Sequence, residues 1–555
     1  MDDQSVRILG RFAASTPIRG RMGRMSRSFR STSSSSPASS PSSRFDAVVV
    51  GAGFGGLGAA LTFAERGARV CLLEQLNYPG GCASTFARAG YRFESGATLF
   101  SGFGPEQPFA RWIARHRMPV EVDFIDPLVE LRTPSFSLAV PRDRGAFLDR
   151  VRALPGAPVE RLDRFFAYQR TVADALWGLL DDPSLLPPFD LRALLRHVRR
   201  LPAYLPLVSS VGRSLDAVLR RFGLESYRPL RTYLDALCQI TVQCSSREVE
   251  APFALGTMDY YFRGTGHVRG GIGALATAMV GAIERAGGEV RLASRAKRVE
   301  PGRGARWRVE ARGGAVEAEH VVLNLIPQAA QRVLGEAFES RSLARRARAV
   351  ASGWGAAMLY LVADAPPEVG PDAHHLELVP DEDRPFVEGH HLFCSISGEA
   401  DEGRAGAGER TLTVSTHVPM RRLLALSEAE RGAYVRTVQD RMRSGLAALA
   451  PEWWSRVKHD MSASPRTFAR FTGRPHGYVG GIPRRRGLHH YLDLVPSPLR
   501  PGLHLVGDSV FPGQSTLATA LGGLKVAERI LGPALRRAAL SARSVGLERE
   551  ERAPS

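Results

Sequence analysis

The stretch FDAVVVGAGFGGLGAALTFAERGARVCLLEQ, residues 45–75, leaves the chain few ways to fold. Four consecutive apolar residues, 47–50, suit a strand buried on both faces. Gly51, Gly53 and Gly56 then complete G-x-G-x-x-G. Gly51 permits a tight turn, Gly53 lets a diphosphate approach the backbone, and Gly56 lets the next helix pack closely. That helix should run to about Arg66 and stop at Gly67. A second strand, 69–73, then delivers Glu74 at its C-terminal end, where an acid can bond a ribose hydroxyl. Strand, glycine turn, helix, strand and acid in register define a dinucleotide-binding βαβ unit.

The continuation LNYPGGCASTFARAGYRFESGATLFSG brings a second glycine pair, Gly80 and Gly81, and a strand leading to a Gly96-Ala-Thr loop. A nicotinamide enzyme has no specific need for this second loop. A larger nucleotide lying extended across the domain can use it. Near the other end, GLHLVGDSV (502–510) reads as a last strand of the same sheet, followed by a small-residue helix from about Ser515. Asp508 stands at that strand's end.

Together, Gly51-Ala-Gly-Phe-Gly-Gly, Glu74, Pro79-Gly-Gly and Gly96-Ala-Thr resemble the FAD site of phytoene desaturase-type carotenoid oxidoreductases. That family includes carotenoid desaturases, prolycopene isomerases and retinol saturases. The resemblance covers roughly residues 45–531. It implies an α/β fold: a Rossmann-like FAD domain of glutathione-reductase type, built from the discontinuous segments 44–115, 263–327 and 497–533. A mixed α/β substrate domain (116–262 and 328–496), with a helical membrane-facing part, fills the intervals. It also implies FAD contacts at Gly51, Gly53, Phe54, Gly55, Gly56, Glu74, Gly80, Gly81, Cys82, Ala83, Val299 (through its backbone, at the adenine edge), Gly507, Asp508, Thr516 and Leu517. Asp508 would bond the ribityl chain, and the late helix would aim its N-terminus at the isoalloxazine ring. In one departure, many relatives carry arginine after the second Gly-Gly, where this chain has the uncharged Cys82.

Residues 105–262 are mostly helical in pattern. In PPFDLRALLRHVRRLPAYLPLV (187–208), Leu191, Leu194, Leu195, Val198 and Leu201 fall on one helical face, with arginines over much of the remainder. Pro202 should stop this helix and leave an apolar stretch after it. A basic amphipathic helix with apolar flanks can lie in a membrane interface, or simply cover the core. Tyr233, Leu234, Leu237, Ile240 and Thr241 suggest a helix lining something apolar. Residues 272–286 should form a helix ending at Gly287-Gly288, EVRLASRAKRVE a strand pair, and 320–327 a buried strand.

The net charge is +18, with lysine only at positions 297, 458 and 525. Such arginine bias fits a GC-rich genome better than a binding surface, and no zinc-finger or RNA-binding pattern accompanies it. No nucleic acid partner is expected. The five cysteines form neither a disulfide framework nor a metal spacing, and His489 and His490 read as a solvated loop, so no metal is expected. No transmembrane run occurs. The Ser/Arg-rich residues 1–43 read as a disordered tail, an organelle transit peptide or an over-extended start, and 534–555 as a C-terminal tail. A cytoplasmic protein peripheral to a membrane is expected.

No Ser-His-Asp triad or paired carboxylate compels another chemistry. The polar candidates near the reacting centre are His267, Arg269 and His476, each with a structural role as its bland alternative. The expected activity is desaturation of a carotenoid or related polyene by hydride transfer to flavin. The alternatives are cis–trans isomerisation with reduced FAD, another flavin oxidation such as amine oxidation, and a non-enzymatic prenyl- or lipid-binding protein of the same fold.

Overall fold

A computed structural model describes residues 43–532, except 97–98, 187–188, 190, 305 and 489–496. The expected tails, Ser43 apart, together with Ala97, Thr98, His489 and His490, lie outside the described residues.

The apolar run at 47–50 forms the end of strand Ser43–Val50, at the centre of a seven-stranded sheet. Val70–Leu73 and Gly314–Leu323 flank it in parallel, and Glu289–Arg291 extends the sheet beyond Val70–Leu73. Leu503–Leu505 runs parallel to the C-terminal part of Gly314–Leu323. Trp307–Ala311 and Ala296–Pro301 continue from its N-terminal part as antiparallel strands. The strand pair expected within EVRLASRAKRVE therefore does not form. The helix before it, Ile272–Arg285, packs on Phe54–Glu65 and delivers Glu289–Arg291 to the free edge of Val70–Leu73. Ala296–Pro301 finds a different partner.

Both faces of the sheet are covered, which is why its strands read as unbroken apolar runs. Val49, Leu57, Leu61, Ile272, Met279 and Ile283 share one core. Val48, Val50, Leu73, Val309, Leu323 and Val333 share the other. Each such side chain contributes about 1.5–3 kcal/mol on burial.

The glycine helix Phe54–Glu65 and the late helix, which starts at residue 516, cross at backbone contact. A Cβ on Gly58 would stand 2.5 Å from the Ala520 carbonyl oxygen, and one on Gly523 only 1.9 Å from that of Gly55. Within the turn itself, a Cβ on Gly56 would meet the Gly51 carbonyl oxygen at 1.9 Å.

A second seven-stranded sheet combines strands from both long insertions. Its order is Val457–Ala463, Trp354–Asp364, Glu409–Pro419, Leu392–Ile396, His374–Leu378, Val129–Arg132 and Ser137–Val140. Helices Val159–Leu180 and Arg228–Thr241 belong to a further core built around Phe165, Phe166, Tyr233 and Leu237.

The basic amphipathic helix spans Leu191–Arg199 and stops just before Pro202, as expected. A second helix, Leu201–Val208, begins at once with Pro202 in its first turn. There the missing proline N–H has no partner to lose. The apolar face points outward: Leu191, Leu205 and Val208 are 73%, 68% and 70% exposed. Among the described residues, no helix is long and apolar enough to cross a membrane.

Gly523→Val should destabilise the fold by about 1–3 kcal/mol through overpacking. Gly370→Ala, where an added Cβ meets nothing within 4 Å, should be close to neutral. Urea unfolding of the two variants beside the parent checks the contrast.

Candidate functional site

The glycine turn, the ends of the parallel strands and the late helix open onto a cavity of about 940 Å³. Gly51 adopts φ +100° and its N–H donates to the Leu73 carbonyl at 2.7 Å. Glu74 reaches back to the turn. Its Oε2 accepts from the Ala52 N–H at 2.7 Å and its Oε1 from the Leu76 N–H at 2.9 Å. Burial pushes this carboxyl up from its ordinary pKa, and those backbone bonds oppose the rise. Two accepted bonds leave a carboxylate with further lone pairs for a ribose hydroxyl.

Asn324, which interrupts the apolar run HVVLNLIP, clamps the glycine turn. Its N–H donates to the Val50 carbonyl at 2.9 Å and its Nδ2 to the Gly51 carbonyl at 3.2 Å. A Cβ on Gly53 would stand 2.9 Å from Nδ2, and one on Gly55 2.7 Å from Oδ1. The glycines are therefore needed as much for this amide as for a ligand. The amide in an apolar strand was the available signal, and the sequence reading passed over it.

Gly51, Gly53, Phe54, Gly55, Glu74, Gly80, Gly81, Cys82, Ala83, Gly507, Asp508, Thr516 and Leu517 all line the cavity. Gly56 lies behind the turn. Val299 does not face the cavity. It is buried in strand Ala296–Pro301 opposite Val309, whereas Arg295, Ala296 and Lys297 line the wall. The residues at the start of the strand, rather than those further along it, meet the cavity.

Asp508 stands at the end of the last parallel strand. Its Oδ2 pairs with Arg474 Nη2 at 2.6 Å and its Oδ1 accepts from the Ser509 hydroxyl at 3.0 Å. Ser515 caps the late helix by accepting the Ala518 N–H at 3.0 Å, so the helix's positive end faces the cavity at Thr516. The Thr516 hydroxyl oxygen and Gln243 Oε1 are buried without a partner among the described residues.

None of the three polar candidates lines the cavity. His267 Nε2 lies 2.8 Å from Asp401 Oδ2, with both side chains buried. Asp401 also accepts from the N–H groups of Gly270 and Gly398, at 2.7 and 2.8 Å. His267 thus ties the second seven-stranded sheet's loop to the flank of the first. Arg269 pairs with Glu121 and Asp123 at the surface. His476 occupies a left-handed turn, φ +59°, edge-on to Tyr478. An imidazole or guanidinium read from sequence carries no sign of whether a carboxylate awaits it elsewhere in the chain. Among the described residues, no three His, Cys, Asp or Glu gather as a metal site.

The far end of the cavity is apolar, with Leu176, Trp177, Leu180, Leu186, Phe253 and Phe393 in its wall. Of the five residues expected on a helix lining something apolar, Ile240 and Thr241 at the end of helix Arg228–Thr241 line it, whereas Tyr233, Leu234 and Leu237 face the neighbouring core instead. Among the described residues, the lining carboxylates are Glu74 and Asp508, both on the nucleotide sheet.

Comparisons with known proteins agree with this architecture. The model of the NAD(P)-binding Rossmann-like domain family matches residues 49–115. A prolycopene isomerase of Daucus carota is 25% identical over 511 residues, covering 88% of this chain and 80% of its own. A neurosporene-forming phytoene desaturase of Cereibacter sphaeroides is 29% identical over 270 residues, 46% of this chain and 47% of its own. Among solved structures, an oxidoreductase from Methanosarcina mazei has a TM-score of 0.56 at 19% identity, covering 86% of this chain and 99% of its own. Putrescine oxidase has a TM-score of 0.60 at 15% identity, covering 88% and 100%. The likeness to carotenoid desaturase- and isomerase-type oxidoreductases read from the sequence is borne out, and so is the Rossmann-like α/β fold.

The buried Asp401 gives the fold an acid-sensitive tie. Burial works to raise its carboxyl, but His267, Arg404 and the Gly398 N–H outweigh it and hold the pKa at about 2. A depressed carboxyl stabilises the fold above its unfolded pKa and loses that contribution as pH falls from about 4 towards 2. Asp401→Asn should therefore be most destabilised relative to the parent above pH 4. The gap should narrow by roughly 2 kcal/mol at the acid end, as read from urea midpoints across pH.

Proposed function

We infer that this protein is an FAD-dependent oxidoreductase of a carotenoid or related polyene, and that it removes two hydrogens from adjacent carbons. One observation carries the reading: among the described residues the cavity's carboxylates, Glu74 and Asp508, both stand on the nucleotide sheet, and the wall away from it is built largely of Leu, Trp and Phe with no acid in it. A polyene has no charge to grip, so a wall of Leu, Trp and Phe is what its recognition requires. An amine substrate would want a carboxylate there, and both lining acids sit with the nucleotide.

The residues fit FAD better than a nicotinamide dinucleotide. Gly80 and Gly81 add a second close-approach loop beside Gly53. The late strand and helix bring Asp508 and Thr516 to the same cavity as Glu74. The unpartnered Thr516 hydroxyl and Gln243 carbonyl suit the polar edge of an isoalloxazine ring. When bound, FAD supplies a two-electron acceptor at N5. The chain's own groups then orient it. Glu74 holds the ribose, Asp508 the ribityl chain, and the positive end of the late helix offsets negative charge near N1 by about 0.3–2 kcal/mol. Ala296 and Lys297 would border the adenine edge.

A second reading is cis–trans isomerisation with reduced FAD. It is favoured by the fact that the Daucus carota isomerase matches most of the chain, the phytoene desaturase under half of it. Anaerobic mixing of the oxidised holoprotein with defined carotenoids separates the two. Desaturation should bleach the flavin and red-shift the polyene together, one to one, with a loss of two hydrogens by mass. Mass-neutral conversion that requires prior flavin reduction would replace desaturation by isomerisation.

The outward leucines of Leu191–Val208, bordered by Arg192 and Arg199, form the surface on which the protein sits at an anionic bilayer as a peripheral protein. Leu180 and Leu186, just before this segment, line the apolar end of the cavity, giving a bilayer-held polyene a short route inward. Arg196 already serves Asp182 and Ser184. Charge reversal at Arg192 and Arg199 should cut liposome sedimentation and turnover on liposome-held substrate while flavin content stays constant. Binding should fall with salt, since exposed charges are screened over about 8–10 Å. Unchanged sedimentation would return the segment to a covering role.

A further inference from the structure

The cavity has to hold an anionic diphosphate beside two carboxylates, yet its glycine loops bring only N–H groups and the residue after Gly81 is the neutral Cys82. The structure supplies a cation from elsewhere in the chain. Helix Pro465–Thr472 ends at Gly473, which adopts a left-handed φ of +67°. The Gln75 side-chain amide fastens this turn over the nucleotide end by donating to the Phe471 carbonyl at 2.8 Å. A Cβ on Gly473 would stand 2.7 Å from Gln75 Oε1, so the turn is held against the residue that follows Glu74. The next residue, Arg474, then enters the cavity wall together with Gly80, Gly81, Cys82 and Asp508.

Its guanidinium pairs with Asp508 at 2.6 Å and donates to the Tyr478 carbonyl at 3.3 Å. Those bonds engage two of its five N–H donors. Burial pushes the Cys82 thiol up, and the nearby Arg474 charge opposes that rise, so the cation lies against the position where the loop lacks one. Of the other lining arginines and lysines, Arg295 and Lys297 lie at the start of strand Ala296–Pro301, Arg332 lies in the last turn of helix Pro327–Leu334, and Arg484 lies over the Phe253 ring at 4.9 Å; none of them stands in the glycine loops or beside Cys82 in the chain.

We propose that Arg474 is the counter-charge of the cofactor's diphosphate, delivered from the second insertion in place of a basic residue at 82, and that it keeps Asp508 tolerable beside that anion. The assignment rests on the reading of the cavity as an FAD site. A guanidinium suits the task because its planar donors can serve a carboxylate and a phosphate oxygen together.

The test is FAD titration of the apoprotein, followed by fluorescence quenching, with circular dichroism to show that each variant is folded. Arg474→Gln should raise the Kd about tenfold or more, the range for loss of a charged hydrogen bond. It should also flatten the dependence of Kd on ionic strength. Arg474→Lys should lose less. Adding Cys82→Arg to Arg474→Gln should bring the Kd back to within about threefold of the parent, whereas Cys82→Arg alone should not tighten binding. Such rescue from a distant chain position is not expected if Arg474 only braces the fold. A folded Arg474→Gln protein with the parent's Kd and salt dependence overturns the proposal. Should that variant not fold, an Arg474→Lys protein with the parent's Kd and salt slope overturns it instead. A parent apoprotein that binds no FAD sinks the underlying cofactor reading, which is a separate outcome.

Discussion

Two helices meet here backbone against backbone. The contact of Gly55 and Gly58 with Ala520 and Gly523 sets the distance from the glycine turn to the late helix. That distance places Gly51 and Thr516 on one cavity. Had either helix carried side chains at the crossing, the axes would have to separate to interhelical distances typical of larger residues. Thr516 and Asp508 would then withdraw from the wall they share with Glu74. The strand Leu503–Leu505 acts with this crossing, since its register with residues 321–323 fixes where Asp508 emerges.

The charged ties between the two sheets have a different character. Asp401, His267, Arg404 and Glu94 are buried together, with Arg404 Nη1 3.6 Å from Glu94 Oε1. Such a group contributes little net stability, because desolvation offsets most of the attraction. It does penalise any arrangement in which one member loses its partner. The loop holding Asp401 and Arg404 is thereby kept to one position against strand Thr265–Val268 and its neighbours, which an apolar contact would enforce less strictly.

The parts of the site carried by local grammar were legible in the sequence. Gly51, Gly53, Gly56 and Glu74 follow one another at fixed intervals, so strand, turn and helix could be read without knowledge of the rest. Asp508 was legible because a Gly-Asp pair ends an apolar strand. Arg474 and Asn324 were not, for opposite reasons. Arg474 is one arginine among many in a basic chain, and only the left-handed turn at Gly473 aims it inward. Asn324 sat inside the apolar run expected as strand 320–327, although the strand itself ends at Leu323. His267 was misplaced because its partner, Asp401, lies far along the chain. The helix break expected at Pro202 is present, since helix Leu191–Arg199 stops short of it, but the apolar stretch after it forms a helix of its own because proline tolerates a first helical turn.

The order of the chain gives the cavity a history. Of the described residues, those that close it, the strand at 503–505 and the helix from 516, are the last to be synthesised. Before they dock, the glycine turn lies open on one side, and the apolar face around Leu57, Leu61 and Ile272 lacks Leu517, Ala520 and Leu521. A nascent chain can therefore assemble the Rossmann strands and the second sheet early, but the cavity stays open until the strand at 503–505 and the helix from 516 have docked. Retention of any ligand waits on those two elements, and a chain lacking them would be left with an exposed greasy trough in place of a cavity.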